Sequence, residues 1–557
     1  MKSTQAGLAA LVLMLSFLMP FAKASPLDRA WANEDWKKPA RTLAVQSGGR
    51  VKPLDTFARE GAELLVGAHS FQGKEAIEFI LSLAFEPQVW QEIPFIQISY
   101  FNLRKDLGLK ETEKSFSPQE LMHSPRLMPL FQELDAKSKA QEKLDAYFTA
   151  VQRLANQMSF LQEVVTGRAL RLIPPTPEQW KTSDAWLGFD RFSDEQKLRF
   201  ALMAAGFTSP EENVRARLPD YIGKFHELAQ QTNPSLYPSA KMMGIEVHFN
   251  RLHPFRWAWV LSLVAAVLIS FAFFSPKKIW YWSGMGFFLA SFAFQAYGFG
   301  LRCWIAGRPP VSNMYESVIW VAFGCMLFGL IFEMIYKKRV IALCALIFCT
   351  IALVIADNVG GVVDDGIHPL EAVLRDNMWL TIHVLTITLG YAAFSLSMIL
   401  GNFALGRRIF FDTDFKEIPF RILSFYAYRA VQVGVILLAA GTILGGVWAD
   451  YSWGRFWGWD PKETWALIAL LGYLALLHAR FRGMVGPFGF LSGCVVAFLG
   501  VVMAWYGVNF VLGQGKHTYG FSSGGVSYMA TYCTVQLLFF IWALMRQRSL
   551  EAQKNAP

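Results

Sequence analysis

A chain of 557 residues could hold about three or four ordinary soluble domains. Composition excludes that reading: 54% of residues are hydrophobic, 15% aromatic and only 17% charged, against roughly 25% charged in soluble domains. The net charge of +9 would suit nucleic acid only if gathered on one face, yet no basic face or nucleic-acid motif is present.

In chain order, residues 1–24 read as a secretory signal. Lys2 gives the positive region, Leu8 to Phe21 the apolar core, and Ala22-Lys23-Ala24 a small-x-small cleavage site. A retained anchor is the alternative, and either way the chain from Ser25 to residue 250 is exported. Residues 25–250 have the composition of a soluble, mainly helical domain. Helical periodicity covers Lys74–Phe85, Pro129–Thr166 and Pro210–Thr232, and Pro94–Tyr100 is apolar and β-branched enough for one strand. Gly48-Gly49-Arg50 is a turn and no phosphate loop, since neither Gly-Lys-Ser/Thr nor GxGxxG comes after it. His69, His123, His226 and His248 have no ligand spacing and read as ordinary surface or core histidines.

From Arg256 onward, nine apolar stretches reach membrane-spanning length, near 256–274, 279–301, 312–336, 340–356, 378–404, 426–447, 463–480, 488–510 and 526–545. The predicted fold is therefore an all-α polytopic membrane protein of about nine transmembrane helices, preceded by a signal sequence and an exported domain, with 546–557 as a tail. The clusters Lys277-Lys278, Lys337-Lys338-Arg339, Arg407-Arg408, Arg480/Arg482 and Arg546/Arg548 fall at alternate span ends. Assigning them all to the cytoplasm satisfies the positive-inside rule and puts 25–250 outside, as the signal requires. A bacterial inner membrane suits this pattern. All six cysteines lie beyond residue 300 and none forms Cys-x-x-Cys, so thiol-redox and zinc-ribbon chemistry have no residues to run on. Cys344 and Cys349 read as small buried hydrophobes.

That orientation puts three features on the extracytoplasmic side. One is the connection Val447–Lys462, which holds Trp448, Trp453, Trp457, Trp459 and Asp460. The others are His383, about a turn into the fifth span, and His517, in the Gly513–Gly525 connection. Asp357–Asn377 also lies outside, with a Leu370/Val373/Leu374 pattern suited to a short interfacial helix. Aromatic belts scatter Trp singly, whereas these four sit within twelve residues beside Gly446, Gly454 and Gly458. Such a surface suits a large planar ligand with charged groups at its rim. Haem, with two axial positions for histidine, is one such ligand. A structural belt and an unrelated planar ligand stay open on the residues alone.

The run Trp453-Gly454-Arg455-Phe456-Trp457-Gly458-Trp459-Asp460-Pro461-Lys462-Glu463-Thr464-Trp465 resembles the tryptophan-rich WWD motif of haem-handling proteins, and more narrowly that of the CcsA/ResC family of system II cytochrome c biogenesis. The resemblance extends to Pro309-Pro310-Val311-Ser312-Asn313-Met314-Tyr315-Glu316-Ser317, Trp379-Leu380-Thr381-Ile382-His383, Leu477-His478-Ala479-Arg480 and Val508-Asn509-Phe510. It covers most of 256–545, around a WWD segment at 447–465. Val45–Glu60 also resembles the stretch ahead of the CcsA part in fused CcsB–CcsA proteins.

The resemblance implies that haem b is handled as substrate and presented to the Cys-x-x-Cys-His motif of apocytochrome c. This chain has no such motif and so is not itself a c-type cytochrome. His383 and His517 match the family's outer iron ligands. His478 matches a ligand for haem at the cytoplasmic end, about 22 Å along the helix from Glu463 at 1.5 Å per residue. Trp448, Trp453, Trp457, Trp459, Asp460, Glu463 and Arg455 are then the candidate haem contacts. Arg302, Arg308, Arg455 and Lys462 are either partners for its propionates or a rim of solvated charges. Nothing in 1–250 resembles the family's CcsB/ResB spans, and His253 lies at the outer end of the first span. The expected partners are thus a separate CcsB/ResB-type membrane protein, apocytochrome c, haem and lipid, with no nucleic acid. This chain would be the CcsA-like subunit of a haem-attaching synthase, with 25–250 a docking domain. The competing readings are a transporter of another solute, disfavoured by the lack of an internal repeat, and a system I WWD protein.

Overall fold

The computed structural model describes residues 34–142, 144–358, 365–370, 377–411, 419–512 and 526–555. The predicted signal, His517 and the Val373/Leu374 part of the interfacial helix lie outside these residues. The chain divides into two compact units, Met1–Arg251 and Leu252–Pro557.

In the first unit, β1 (Ala44–Ser47) pairs antiparallel with β2 (Arg50–Pro53) through Gly48 and Gly49, both at positive φ (59° and 79°). Two left-handed residues match the twist of a tight hairpin, so Gly48-Gly49 is the expected turn. Helices α1 (Leu54–Val66) and α2 (Ala76–Phe85) come next. The strand expected over 94–100 shrinks to Ile96–Gln97 against Ser115–Phe116, because the backbone turns into a helix at Phe101. The long helix expected over 129–166 is two, Leu127–Lys139 and α3 (Ala146–Val165). Gln141 adopts φ 53°, and Asp145 restarts the helix by accepting from the Phe148 N–H at 2.8 Å. Phe71, Phe79, Trp90 and Phe95 pack ring to ring at the centre, and Trp90 donates to the Ser82 hydroxyl. His226 is half-buried against Tyr237, and burial pushes its pKa below the ordinary imidazole value.

The Val45–Glu60 run has a structural task. Glu246, on α4 (Ala240–Leu252), is buried and accepts two bonds from Arg50, at 2.9 and 2.7 Å, and a third from Thr56 at 2.8 Å. Asn250, one turn on, donates to Thr56 at 2.8 Å. Lys52–Glu60 (2.6 Å) and Arg59–Asp55 (2.9 Å) stiffen the run itself. A buried bidentate pair contributes geometry more than energy, but losing one partner strands the other charge. Glu246→Ala is therefore expected to cost about 3 kcal/mol locally. Hydrogen exchange on the full chain should show lost amide protection across 240–252; unchanged protection would refute the clamp.

In the second unit the helices are α5 (Pro254–Phe274), α6 (Lys278–Ala306), α7 (Met314–Tyr336), α8 (Val340–Asn358), α9 (Leu385–Phe410), α10 (Phe420–Trp453), α11 (Pro461–Phe481), α12 (Pro487–Val502) and α13 (Val526–Asn555). Among the described residues, nine helices are long and apolar enough to cross a membrane, so the protein is an all-α, multi-pass membrane protein. Two of them carry π-helical turns, Leu380–Val384 entering α9 and Met503–Leu512 leaving α12. The sixth span is longer than its hydropathy suggested. Nothing breaks it until Gly454, at φ 67°, so Trp448 and Trp453 are helical and the connection shrinks to 454–460. Likewise α13 continues through Arg546 and Arg548, so most of the expected tail is helix.

Candidate functional site: an aromatic cavity at one end of the bundle

Five segments converge on a cavity of about 1210 Å³, counting its open mouth. They are the turn opening α7 (Val311 to Ser317), the π turn with its continuation to Tyr391, the end of α10 (Thr442 to Trp448), Trp457 with the start of α11, and Trp505 with Asn509.

His383 is part of its wall. Its Nδ1 lies 2.8 Å from the Gly441 carbonyl oxygen, an acceptor only, so Nδ1 carries the proton and Nε2 the lone pair. The ring lies nearly parallel to Trp448, 6.1 Å between centroids, and Trp453 packs behind Trp448 at 5.1 Å. A Cβ on Gly445 would sit 2.6 Å from His383 Cε1, so only glycine lets α10 approach this closely. Across the cavity, Trp505 donates to the Ser317 hydroxyl at 2.8 Å and leans on Tyr391.

The connection 454–460 is held by its own charges. Asp460 caps α11, accepting from the Lys462 N–H at 3.0 Å. Glu463 accepts from the Gly458 and Asp460 N–H groups, at 2.8 and 3.2 Å, and pairs with Arg455 at 3.3 Å. A Cβ on Gly458 would overlap the Arg455 guanidinium. Trp459 is held at φ 57°, unusual for a bulky side chain.

The structure thus brings five sequence-predicted residues to the cavity wall: His383, Trp448, Trp457, Lys462 and Glu463. Trp453 supports Trp448 from behind. Asp460 and Arg455 brace the connection, and Trp459 is 69% exposed with its edge against Trp457. His478, exposed in the last turn of α11, donates from Nδ1 to the Leu474 carbonyl at 2.7 Å and lies at the other end of that helix. Arg302 and Glu316 form an ion pair at 2.9 Å with each side chain 1% exposed, and Arg302 also donates to the Asp365 carbonyl. Arg308 bonds Ser312 and the His368 carbonyl. These two arginines fix the 309–317 turn. Sequence reasoning missed Trp379, Tyr391 and Trp505 as cavity residues, and the role of Gly445. Trp505 stood four residues before Asn509, a helical spacing that could have flagged it. Among the described residues, no three His, Cys, Asp or Glu side chains gather to hold a metal ion.

Fold and site together define a polytopic membrane protein whose bundle closes, at one end, around an aromatic cavity bearing a tautomer-fixed histidine. Residues 311–515 match the family model described as Cytochrome C assembly protein. The chain is 32% identical over 252 residues to the cytochrome c biogenesis protein CcsA of Prochlorococcus marinus, covering 79% of that protein and 40% of this chain. It is 34% identical over 259 residues to CcsA of Parasynechococcus marenigrum, covering 82% of it and again 40% of this chain. Protein NrfI of Wolinella succinogenes is 27% identical over 540 residues, 91% of this chain, and the chain spans 58% of NrfI's length. The chain belongs to the CcsA family of cytochrome c biogenesis proteins.

Gly445→Ala should push the His383 ring off the Gly441 carbonyl. A displacement of this kind is expected to lower cytochrome c maturation by about tenfold or more at unchanged protein level. Gly472→Ala, where a Cβ meets nothing within 4 Å, is the control. Equal maturation in both variants would refute the close-approach argument.

Proposed function

We propose that this chain is the haem-handling subunit of a system II cytochrome c synthase. It binds haem b as substrate and presents it on the extracytoplasmic side of a bacterial inner membrane. The observation that carries this reading is His383. A histidine that donates Nδ1–H to a carbonyl keeps a basic Nε2, the arrangement found where imidazole ligates metal. Here it is set among flat aromatic walls that accommodate a porphyrin. A porphyrin iron needs only axial ligands from the protein, so a cluster of three ligating side chains is not required.

In this reading His383 and His517 are the axial pair and Trp448 and Trp457 flank the ring, while Trp453, Trp459, Asp460, Glu463 and Arg455 shape the segment that holds it. The reaction adds each cysteine S–H of apocytochrome c across a haem vinyl group. A C–S bond forms at one carbon, the hydrogen goes to the other, and nothing leaves. This chain's part is to orient the ring and tune the iron, the thiols being the substrate's own. His478 is the ligand for haem at the cytoplasmic end. The partner is a CcsB/ResB-type membrane protein, which completes that inner site, and residues 25–250 dock the partner or apocytochrome. The basic clusters at alternate helix ends support this orientation, with the C-terminus cytoplasmic.

The test is the absorption spectrum of the purified protein, expressed with and without such a partner. A Soret band is expected that disappears in His383→Ala and His517→Ala and is reduced in His478→Ala. A full Soret band in His383→Ala would overturn the assignment. Unchanged haem content in the His478 variant would remove the two-site relay.

A further inference from the structure

We infer that Met326 and Cys349, held by the Gln295 amide, form a binding site for one copper(I) ion in the core of helices α5 to α8. Three of these helices supply it. Gln295 on α6 donates from Nε2 to the Met326 thioether of α7 at 3.0 Å and to the Cys349 thiol of α8 at 3.4 Å. All three side chains are fully buried. Cys349 lies nine residues from either end of α8, about 13.5 Å along the axis, so the two sulfurs sit near the middle of the span. None of these residues lines the aromatic cavity.

An amide at this depth ordinarily joins helices through oxygen acceptors. Gln295 does not. It donates to a thioether and a thiol, both weak acceptors, and among the described residues its own Oε1 has no hydrogen-bond partner. Neighbouring hydroxyls are engaged elsewhere, Ser262 with Thr350 at 2.7 Å and Ser291 with the Ala258 carbonyl at 2.7 Å. A buried carbonyl left unpaired away from water is costly, and apolar side chains of similar volume would avoid that cost. What the arrangement does achieve is to turn two sulfurs toward one point, with a carbonyl oxygen to spare beside them. Thiolate and thioether are soft ligands of the kind that select copper(I). The charge fits as well. An S–Cu bond replaces the Cys349 S–H bond and the proton leaves to water, so Cu⁺ with one thiolate and a neutral thioether sums to zero. A lipid-embedded core accepts that sum without a counter-ion, whereas a divalent ion would leave a net positive charge. The Gln295 N–H that meets the thiol then donates to a thiolate, a stronger acceptor, and orients the ligand.

The experiment mixes the purified full-length protein in nanodiscs, without oxygen, with the coloured copper(I)–bicinchoninate complex, whose bleaching counts the copper taken up. Wild type should withdraw about one copper per chain. Cys349→Ser and Met326→Leu, each lacking one sulfur, should bind at least about a hundredfold more weakly, and Gln295→Leu, which keeps both sulfurs, about tenfold more weakly. Cys344→Ser removes a buried thiol on the same helix that takes no bond from Gln295, and should match wild type. No copper withdrawn by wild type overturns the proposal whether or not any variant folds. Full uptake by Cys349→Ser also overturns it, as does uptake that survives there and is lost in His383→Ala, which would put the copper on the aromatic cavity instead.

Discussion

The site depends on how closely α10 approaches α9. Along this seam, a Cβ on Gly390 would meet the Leu438 backbone nitrogen at 3.0 Å, one on Gly441 the Ile387 side chain and backbone at 2.7 to 2.9 Å, and one on Gly445 the His383 ring. Helices in a membrane gain little from burying apolar surface, since lipid is equally apolar, so small residues and interhelical hydrogen bonds decide where they touch. Here both operate on one side chain. The glycines bring the backbone of α10 within reach, and the Gly441 carbonyl then fixes the tautomer of His383. The π turn over Leu380–Val384 contributes the remaining constraint. One inserted residue rotates the preceding face of a helix by about 100°, which changes which side chains meet the seam.

The tryptophan-rich connection has two kinds of residue with different physical roles. Trp448 and Trp457 form wall, whereas Asp460, Glu463 and Arg455 hold the chain that carries them. A capping box joined to an ion pair makes a short, closed turn between two long helices. Its glycines are explained by proximity: Gly458 passes under the Arg455 guanidinium and Gly446 under the Phe456 ring. In sequence all these residues look alike, as one dense motif. Their separation into wall and brace depends on rotation about helices and on a turn at positive φ, which composition does not encode.

The helices themselves were legible because lipid imposes length and apolarity on every span, and the expected spans overlap the observed helices throughout. What hydropathy misplaced were ends decided by local chemistry. It ended the sixth span at Val447, whereas the helix runs on to Trp453 and stops at Gly454. Of the site, His383 and the tryptophans were legible from residue type and from resemblance. Tyr391 and Trp505 were not, since an aromatic residue within an apolar run gives no sign of whether it faces lipid, a neighbouring helix or a cavity. The Val45–Glu60 run was recognisable as a motif yet opaque in role, because its partners Glu246 and Asn250 lie nearly 200 positions later.

Each unit has its own buried ion pair, and the two use it in the same way. Glu246 with Arg50, and Glu316 with Arg302, are both buried pairs, and in each the arginine fork reaches a turn or a helix that apolar packing alone would leave free to slide. Guanidinium suits this work: it is planar, permanently charged, and able to make several directed bonds at once. The Arg302–Glu316 pair also cross-links α6 to α7, while Glu316 takes the Ser312 N–H and hydroxyl. One carboxylate therefore sets both the helix register and the loop that forms a cavity wall. Removing water from such a pair is costly, and a hydrophobic replacement would be at least as stable. What the pair adds is position, and position is what a cavity assembled from five separate segments requires.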